Sequence, residues 1–420
     1  MKALFLIDDT TANRISYYHI MLMLATLPFD QFFSHAAFIS FALHTLIHLD
    51  KTRLKALFTP RTLLLQAVFF ITLSSALYSK YPATAGVDIT RQLVILLFPV
   101  FFALTTLNIN KYRDKLLTLF ALVCVLVIAG LYVRAFYVIH YFHLPVRAII
   151  SNLFINHKFS GPINMHATFL SLQIALALFY LLTRLFEPRS VYLKTGLYIA
   201  VILLFAGIVQ LGSKAVLVVV LIGINVVIPY FMVPVAKRLR FIAAAAVLSL
   251  IVIASSVSVN GFKERFVTDL ANDLSKPVTN ESVEPRLVRW EAAIQLVKKR
   301  PVFGYGAGSE LSILGDKYFH DKLYIAYLNR LNAHNQYLTF LLTSGMVGLL
   351  IYLATLFYAV RTALWRRDML FFVFTLLIIT VSLSESLLNA EKGVYFYSFF
   401  LSFFVFGGIK KAAKSNYLFT

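Results

Sequence analysis

Long apolar runs separated by short polar breaks dominate the chain. A helix needs roughly twenty residues to cross the hydrocarbon layer of a membrane. Read that way, the runs predict about twelve helices, near residues 16–29, 31–49, 62–79, 86–107, 116–142, 165–183, 191–210, 215–235, 240–258, 335–360, 369–388 and 392–409. The first two are short, with Pro28 and Asp30 read as a tight hairpin between them. One interval departs from this rhythm. Residues 259–333 are polar, with acidic and basic side chains in near balance, and an interval of that length is uncommon unless functional or disordered. Its texture is helical. Ser282-Val-Glu-Pro285 reads as a helix start, Arg286 to Arg300 as an amphipathic helix with Leu287, Trp290, Ile294 and Val297 on one face, and Pro301 as the stop. No internal repeat or low-complexity segment is apparent. The fold class is therefore all-α and polytopic. Residues 1–258 form a membrane domain with spans 1–9, 259–333 a large helical outer loop, and 334–420 spans 10–12.

Composition narrows the class further. The chain is 60% hydrophobic and 14% charged, with a mean hydropathy of +0.78. Soluble domains carry about 25% charged residues, so a water-soluble globular protein is excluded. Thirty-nine Phe and 22 Tyr exclude disordered, collagen-like and coiled-coil chains. Continuous rather than alternating apolar runs exclude a β-barrel. The net charge of +20 is read as a topology signal, not as a nucleic-acid footprint. Basic residues gather on every second connection: Lys51, Arg53, Lys55 and Arg61; Lys111, Arg113 and Lys115; Arg184, Arg189 and Lys194; Lys237, Arg238 and Arg240; Arg361, Arg366 and Arg367; Lys410, Lys411 and Lys414. The positive-inside rule places these in the cytoplasm, with both termini. The long loop then lies on the periplasmic face of the inner membrane. Cys124 is the single cysteine, so neither an intramolecular disulfide nor a Cys-based zinc site can form. The N-terminal stretch (Lys2, Asp8, Asp9, Arg14) has no evident signal-cleavage site.

Candidate chemistry concentrates at the outer face. Arg286 and Trp290 lie one helical turn apart and can point to one place, although a helix lying on headgroups would look the same. Phe303-Gly-Tyr-Gly-Ala-Gly-Ser309 offers three glycines that permit close backbone approach or an anion-binding nest, but no Gly-Lys-Ser/Thr follows, so it is not a nucleotide loop. His334 stands in Leu331-Asn-Ala-His-Asn-Gln-Tyr-Leu338, where the chain re-enters the membrane. There it is either a helix-capping residue or a general base. Lys214 and Arg91 begin spans at the outer side, at a depth where a cation is costly unless it meets an anion or snorkels. His140, His143, His157 and His166 lack ligand spacing and are read as interfacial, so no metal site is expected.

Taken together, the span count, the long loop, Arg286-x-x-x-Trp290, Gly304-x-Gly306-x-Gly308 and His334-Asn-x-Tyr-Leu338 resemble the O-antigen ligase and polymerase superfamily, most closely the ligases. The resemblance implies a metal- and cofactor-independent inner-membrane glycosyltransferase acting at the periplasmic face. Its donor would be a glycan on undecaprenyl pyrophosphate, and its acceptor lipid A–core or another glycan. It implies His334 as base and Arg286 as a pyrophosphate ligand. Lys214, Arg91, Arg289, Trp290, Gly306, Gly308, Asn335 and Tyr337 would contact substrate. Where the family commonly has Ser-Arg-Gly/Ala at the eighth span, this chain has Ser213-Lys214-Ala215, which keeps the charge but loses the bidentate fork. Ligase, repeat-unit polymerase and protein glycosylation stay open from the sequence. A lipid or solute transporter is the competing class, although the inverted repeats and midplane charges of such folds are not seen.

Overall fold

The computed structural model describes residues 2–257, 259–273 and 284–408. Among them there is no strand, and helices fall at all twelve predicted positions. In chain order they are α1 (Thr11–Thr26), α2 (Gln31–Ile47), α3 (Pro60–Ala76), α4 (Pro82–Leu104), α5 (Ile109–Tyr141), α6 (Ala167–Leu185), α7 (Val191–Leu211), α8 (Lys214–Met232, with a π-helical turn at Gly223–Val227) and α9 (Val235–Val257). The polar interval contributes α10 (Arg286–Lys299) and α11 (Glu310–His320). After it come α12 (Gln336–Thr343), α13 (Gly345–Arg366), α14 (Met369–Val381) and α15 (Glu391–Phe406). The chain is a multi-pass membrane protein. By length and apolar content, six of these helices (α4 to α8 and α13) can each cross a membrane, and a seventh if Lys51–Phe58 and α3, bent by 62°, count as one. α2 and α14 are apolar but only 17 and 13 residues long, so twelve crossings do not follow from the helices themselves.

Local chemistry explains the boundaries. Asp30 turns the first hairpin by accepting the N–H of Phe32 at 2.8 Å, which starts α2. α10 runs as predicted and stops at Pro301, while Ser282 and Val283 of its expected start, and the basic cluster Lys410, Lys411 and Lys414, lie outside the described residues. Two expected spans are shorter than read. The run 335–360 breaks between α12 and α13 because the 301–306 segment docks there. Tyr305 N–H donates to the Leu342 carbonyl and Gly306 N–H to that of Thr343, both at 2.8 Å, so the end of α12 is capped by the loop rather than continued. Gly345 sits at φ +65° at the break, where a Cβ would lie 2.2 Å from the Val302 carbonyl oxygen. The run 369–388 ends as helix at Val381, and a turn over 382–386 follows.

Packing is dominated by aromatic rings, as expected where lipid supplies no hydrophobic drive between helices and tight van der Waals contact must hold them. Phe98, Phe102 and Phe399 meet edge to face between α4 and α15, and Phe371, Phe374, Phe400 and Phe404 join α14 to α15. α6 is the central helix and α7 a peripheral one, with 78% and 17% of their apolar windows buried. At one end of the bundle, a buried two-pronged ion pair of Arg113 with Asp368 (2.5 and 2.7 Å) ties α5 to α14. Arg184 pairs with Asp114 at the same end. The opposite end, where α6, α8 and α12 begin and α14 finishes, carries the α10–α11 segment.

Candidate functional site

The segment Asn332-Ala-His334 is held from several sides before it enters α12. Arg289 Nη1 donates to the Asn332 carbonyl at 3.1 Å and Trp290 Nε1 to the Ala333 carbonyl at 2.8 Å. The buried Glu310 carboxylate accepts the Ala333 N–H at 3.0 Å, and the Asn332 side chain accepts that of His334 at 3.0 Å. So clamped, His334 adopts φ +47°, a left-handed conformation that a non-glycine residue holds only when its surroundings impose it. It is not the helix cap. Asn335 takes that role, accepting from the N–H groups of Tyr337 and Leu338 at 3.0 and 3.1 Å.

The ring freed from capping turns toward Glu385, on the turn after α14, with Nδ1 at 3.3 Å from Oε2. Burial pushes the Glu385 carboxyl up. The hydrogen bond from His334 and the nearby positive charge of Arg286 help to outweigh it, and the group is held below its usual range. Because an ionised Glu385 can only accept, the tautomer of a neutral His334 ring that makes this bond carries its proton on Nδ1 and presents Nε2 as the acceptor. Thr168 donates to the other carboxylate oxygen at 3.3 Å, and His166 lies two residues before Thr168, directly ahead of α6. Burial pushes His166 down to about 4, leaving it neutral near pH 7.

Arg286 meets the same turn. Its Nη1 donates to the Ser384 carbonyl at 3.1 Å, one residue from Glu385, while its Nε lies 3.7 Å from an Asp273 oxygen. That Asp273 oxygen is 3.5 Å from Lys214 Nζ. One carboxylate oxygen thus sits between the two cations, the geometry in which an anionic oxygen is gripped by both. Arg265 extends the basic patch, donating to the Gly212 carbonyl at 3.1 Å and pairing with Asp269 at 3.2 Å.

Other predicted residues serve the scaffold. The glycines are packing positions. A Cβ on Gly306 would lie 2.5 Å from Ser79 Cα, and one on Gly308 2.3 Å from the Ala85 nitrogen. The expected nest is already satisfied within the protein, since Asp88 accepts the Gly308 N–H at 2.9 Å and Thr343 that of Gly306. Arg91 pairs with this same Asp88 at 3.0 Å rather than with the His334 cluster. Tyr337 donates to the Ile379 carbonyl. Trp290 and Arg289 hold the His334 segment, and the buried face of α10 is Arg289, Ala292, Ala293 and Leu296. The expected face is offset from it, with Ile294 44% exposed, because the two alanines allow the close approach that larger side chains would block. Among the described residues, no three His, Cys, Asp or Glu side chains group as a metal site.

Sequence reasoning missed Glu385, Asp273, Arg265 and the nearness of His166. Only Glu385 left a signal, as an acid inside an apolar run.

Residues 199–353 match the family model described as O-antigen ligase. No curated protein matches the chain significantly. The matched stretch runs from α7 into α13 and contains Lys214, Arg286 and His334, while Glu385 and His166 lie beyond it. Over residues 199–353, therefore, the chain carries a domain similar to the O-antigen ligase family.

Proposed function

We propose that the protein transfers a glycan from undecaprenyl pyrophosphate to a sugar hydroxyl of lipid A–core at the periplasmic face of the inner membrane, as an O-antigen ligase. The family is one of ligase- and polymerase-type glycosyltransferases. The observation that carries the reading is convergence: Arg286 reaches both the turn holding Glu385, against which His334 is set, and the carboxylate shared with Lys214. The basic alternate connections support about twelve crossings, with both termini cytoplasmic and the α10–α11 loop outside.

In this reading, His334 Nε2 accepts the proton of the acceptor hydroxyl as its oxygen bonds to the anomeric carbon. The bond from that carbon to the pyrophosphate oxygen breaks, and its electron pair leaves with the pyrophosphate. Arg286, Lys214 and Arg265 face the growing negative charge, a stabilisation commonly worth about 3 kcal/mol per well-placed donor. Glu385 fixes the tautomer and orientation of the imidazole and balances its charge after proton transfer. Attack opposite the leaving group inverts the anomeric centre.

His334→Ala tests this in a strain lacking the chromosomal copy. Surface glycan on lipid A–core should vanish while lipid-linked polymer accumulates and the protein remains in the membrane at wild-type level. Undiminished glycan on the core would remove the histidine from the reaction, and a single repeat on the core in the deletion strain would make the protein a polymerase.

A further inference from the structure

A polar hollow beside His166 is unused by the chemistry above. Its volume is about 340 Å³, and three separate stretches wall it: Asp30 and Gln31 at the start of α2, Asn164 and His166 ahead of α6, Glu391 and Lys392 at the start of α15. The walls are fixed from outside. Asp30 is held by the Phe32 N–H, Lys392 donates to the Phe29 carbonyl, and Asn164 is set at φ +51°. Phe169 contributes an apolar wall, its ring 4.9 Å from that of His166. His166 links the hollow to the reaction: it stands two residues before Thr168, which donates to the Glu385 carboxylate facing His334, and its own Nδ1 is buried without a hydrogen-bond partner.

The chemistry of these walls selects the ligand. Two carboxylates, two amides, one ammonium and a neutral imidazole offer many donors and acceptors with little net charge. An anion would face Asp30 and Glu391, and an alkyl chain would strand their polar atoms. A polyhydroxylated ring with one apolar face satisfies both the polar walls and Phe169, and the volume lies in the range of small-ligand sites. None of Lys214, Arg265 and Arg286 lines the hollow, so it is distinct from the cationic patch. We propose that this hollow is the acceptor-saccharide subsite, which holds the terminal sugar of the acceptor by its hydroxyls and presents one of them to His334. The proposal rests on the glycan-transfer reading and adds where the second substrate sits.

Two variants test it with little risk to folding: Asn164→Gly, which tolerates the left-handed backbone, and Glu391→Gln, which keeps size. Purified protein is assayed with undecaprenyl-pyrophosphate glycan as donor. The acceptor is lipid A–core in one arm and a lipid-linked repeat unit in the other, because either would supply sugar hydroxyls. In whichever arm wild type is active, each variant should raise the acceptor KM about tenfold, the effect of losing one or two hydrogen bonds. The donor KM should stay within twofold and the melting curves should overlay. An unchanged acceptor KM in both variants, or a donor KM rising in step with it, overturns the subsite while leaving the activity intact. A wild type inactive in both arms removes the glycan-transfer reading, and the subsite with it.

Discussion

Arg286→Lys separates a phosphate grip from a membrane-surface charge. Arg286 uses different parts of one planar group for two contacts, Nη1 on the Ser384 carbonyl at 3.1 Å and Nε facing Asp273 at 3.7 Å. A hydrogen bond from a charged donor is worth about 1.5–3 kcal/mol, and one preorganised donor to a developing anion about 2.7–4 kcal/mol. Alanine loses both, at least about 4 kcal/mol, or roughly 10³-fold in rate at 1.36 kcal/mol per tenfold. Lysine retains the charge but is a single point on a flexible stem and cannot serve carbonyl and anion together. It forfeits one contact, about 2–3 kcal/mol, and should turn over roughly 30–150 times more slowly than wild type. The assay is transfer from lipid-linked glycan to lipid A–core by protein purified in detergent, with melting curves to show that each variant is folded. A lysine variant retaining more than a third of wild-type rate would refute the reasoning, because an arginine facing only lipid headgroups is replaceable by lysine.

Three further outcomes follow from buried groups and close contacts. Burial raises the Glu310 carboxyl from 4.5 to about 7, so the folded state binds the extra proton between those values; stability is greatest at low pH and falls by roughly 3 kcal/mol as pH rises from about 4.5 to 7. Glu310→Gln should flatten that slope in melting curves taken from pH 5 to 8, and an unchanged slope would assign it to another group. Asp368→Asn strands the Arg113 guanidinium, whose side chain is 7% exposed, and should cost about 3–5 kcal/mol, whereas the apolar pair Arg113→Met with Asp368→Leu should cost less than either single change; a double variant worse than both would contradict this. Gly308→Ala forces a side chain to φ +73° against the Ala85 backbone nitrogen and should lower the melting midpoint and the yield of folded protein, while a variant as stable as wild type would show that the loop is not docked on α4 as described.

Hydrophobic run length located a helix at each of the twelve apolar runs but missed α11 in the polar interval and misjudged where several helices end, for a reason visible in α12 and α13. Residues 335–360 are apolar throughout, and nothing within them announces a break. The break is imposed by backbone groups of the 301–306 segment that take the carbonyls of Leu342 and Thr343. The same loop explains the glycines. Their alternate spacing signalled close backbone approach, yet what approaches is the α12–α13 break at Gly304, and α4 with the turn before it at Gly306 and Gly308. Likewise the amphipathic reading of α10 weighed Ile294 above Ala292 and Ala293, although small residues decide which face can come close.

For the site, a cation that works and a cation that only folds look alike when each is read alone. Arg91 and Lys214 both read as cations at the start of an apolar run, although the structure puts Arg91 well inside α4 and only Lys214 at a helix start, and both were assigned to substrate. They differ in what neutralises them. Asp88 lies three residues before Arg91 on the same helix face, a spacing that already predicts a local pair. Lys214 has no acid within a turn, so its charge must be met from elsewhere in the chain, and it is met by the carboxylate that also faces Arg286. The same test would have marked Glu385, an acid in an apolar run with no cation within a turn, as a residue waiting for a distant partner. That partner, His334, lies 51 positions away. Periodicity cannot find such a pair, but the absence of a local counter-charge at a costly depth shows which residues must have one.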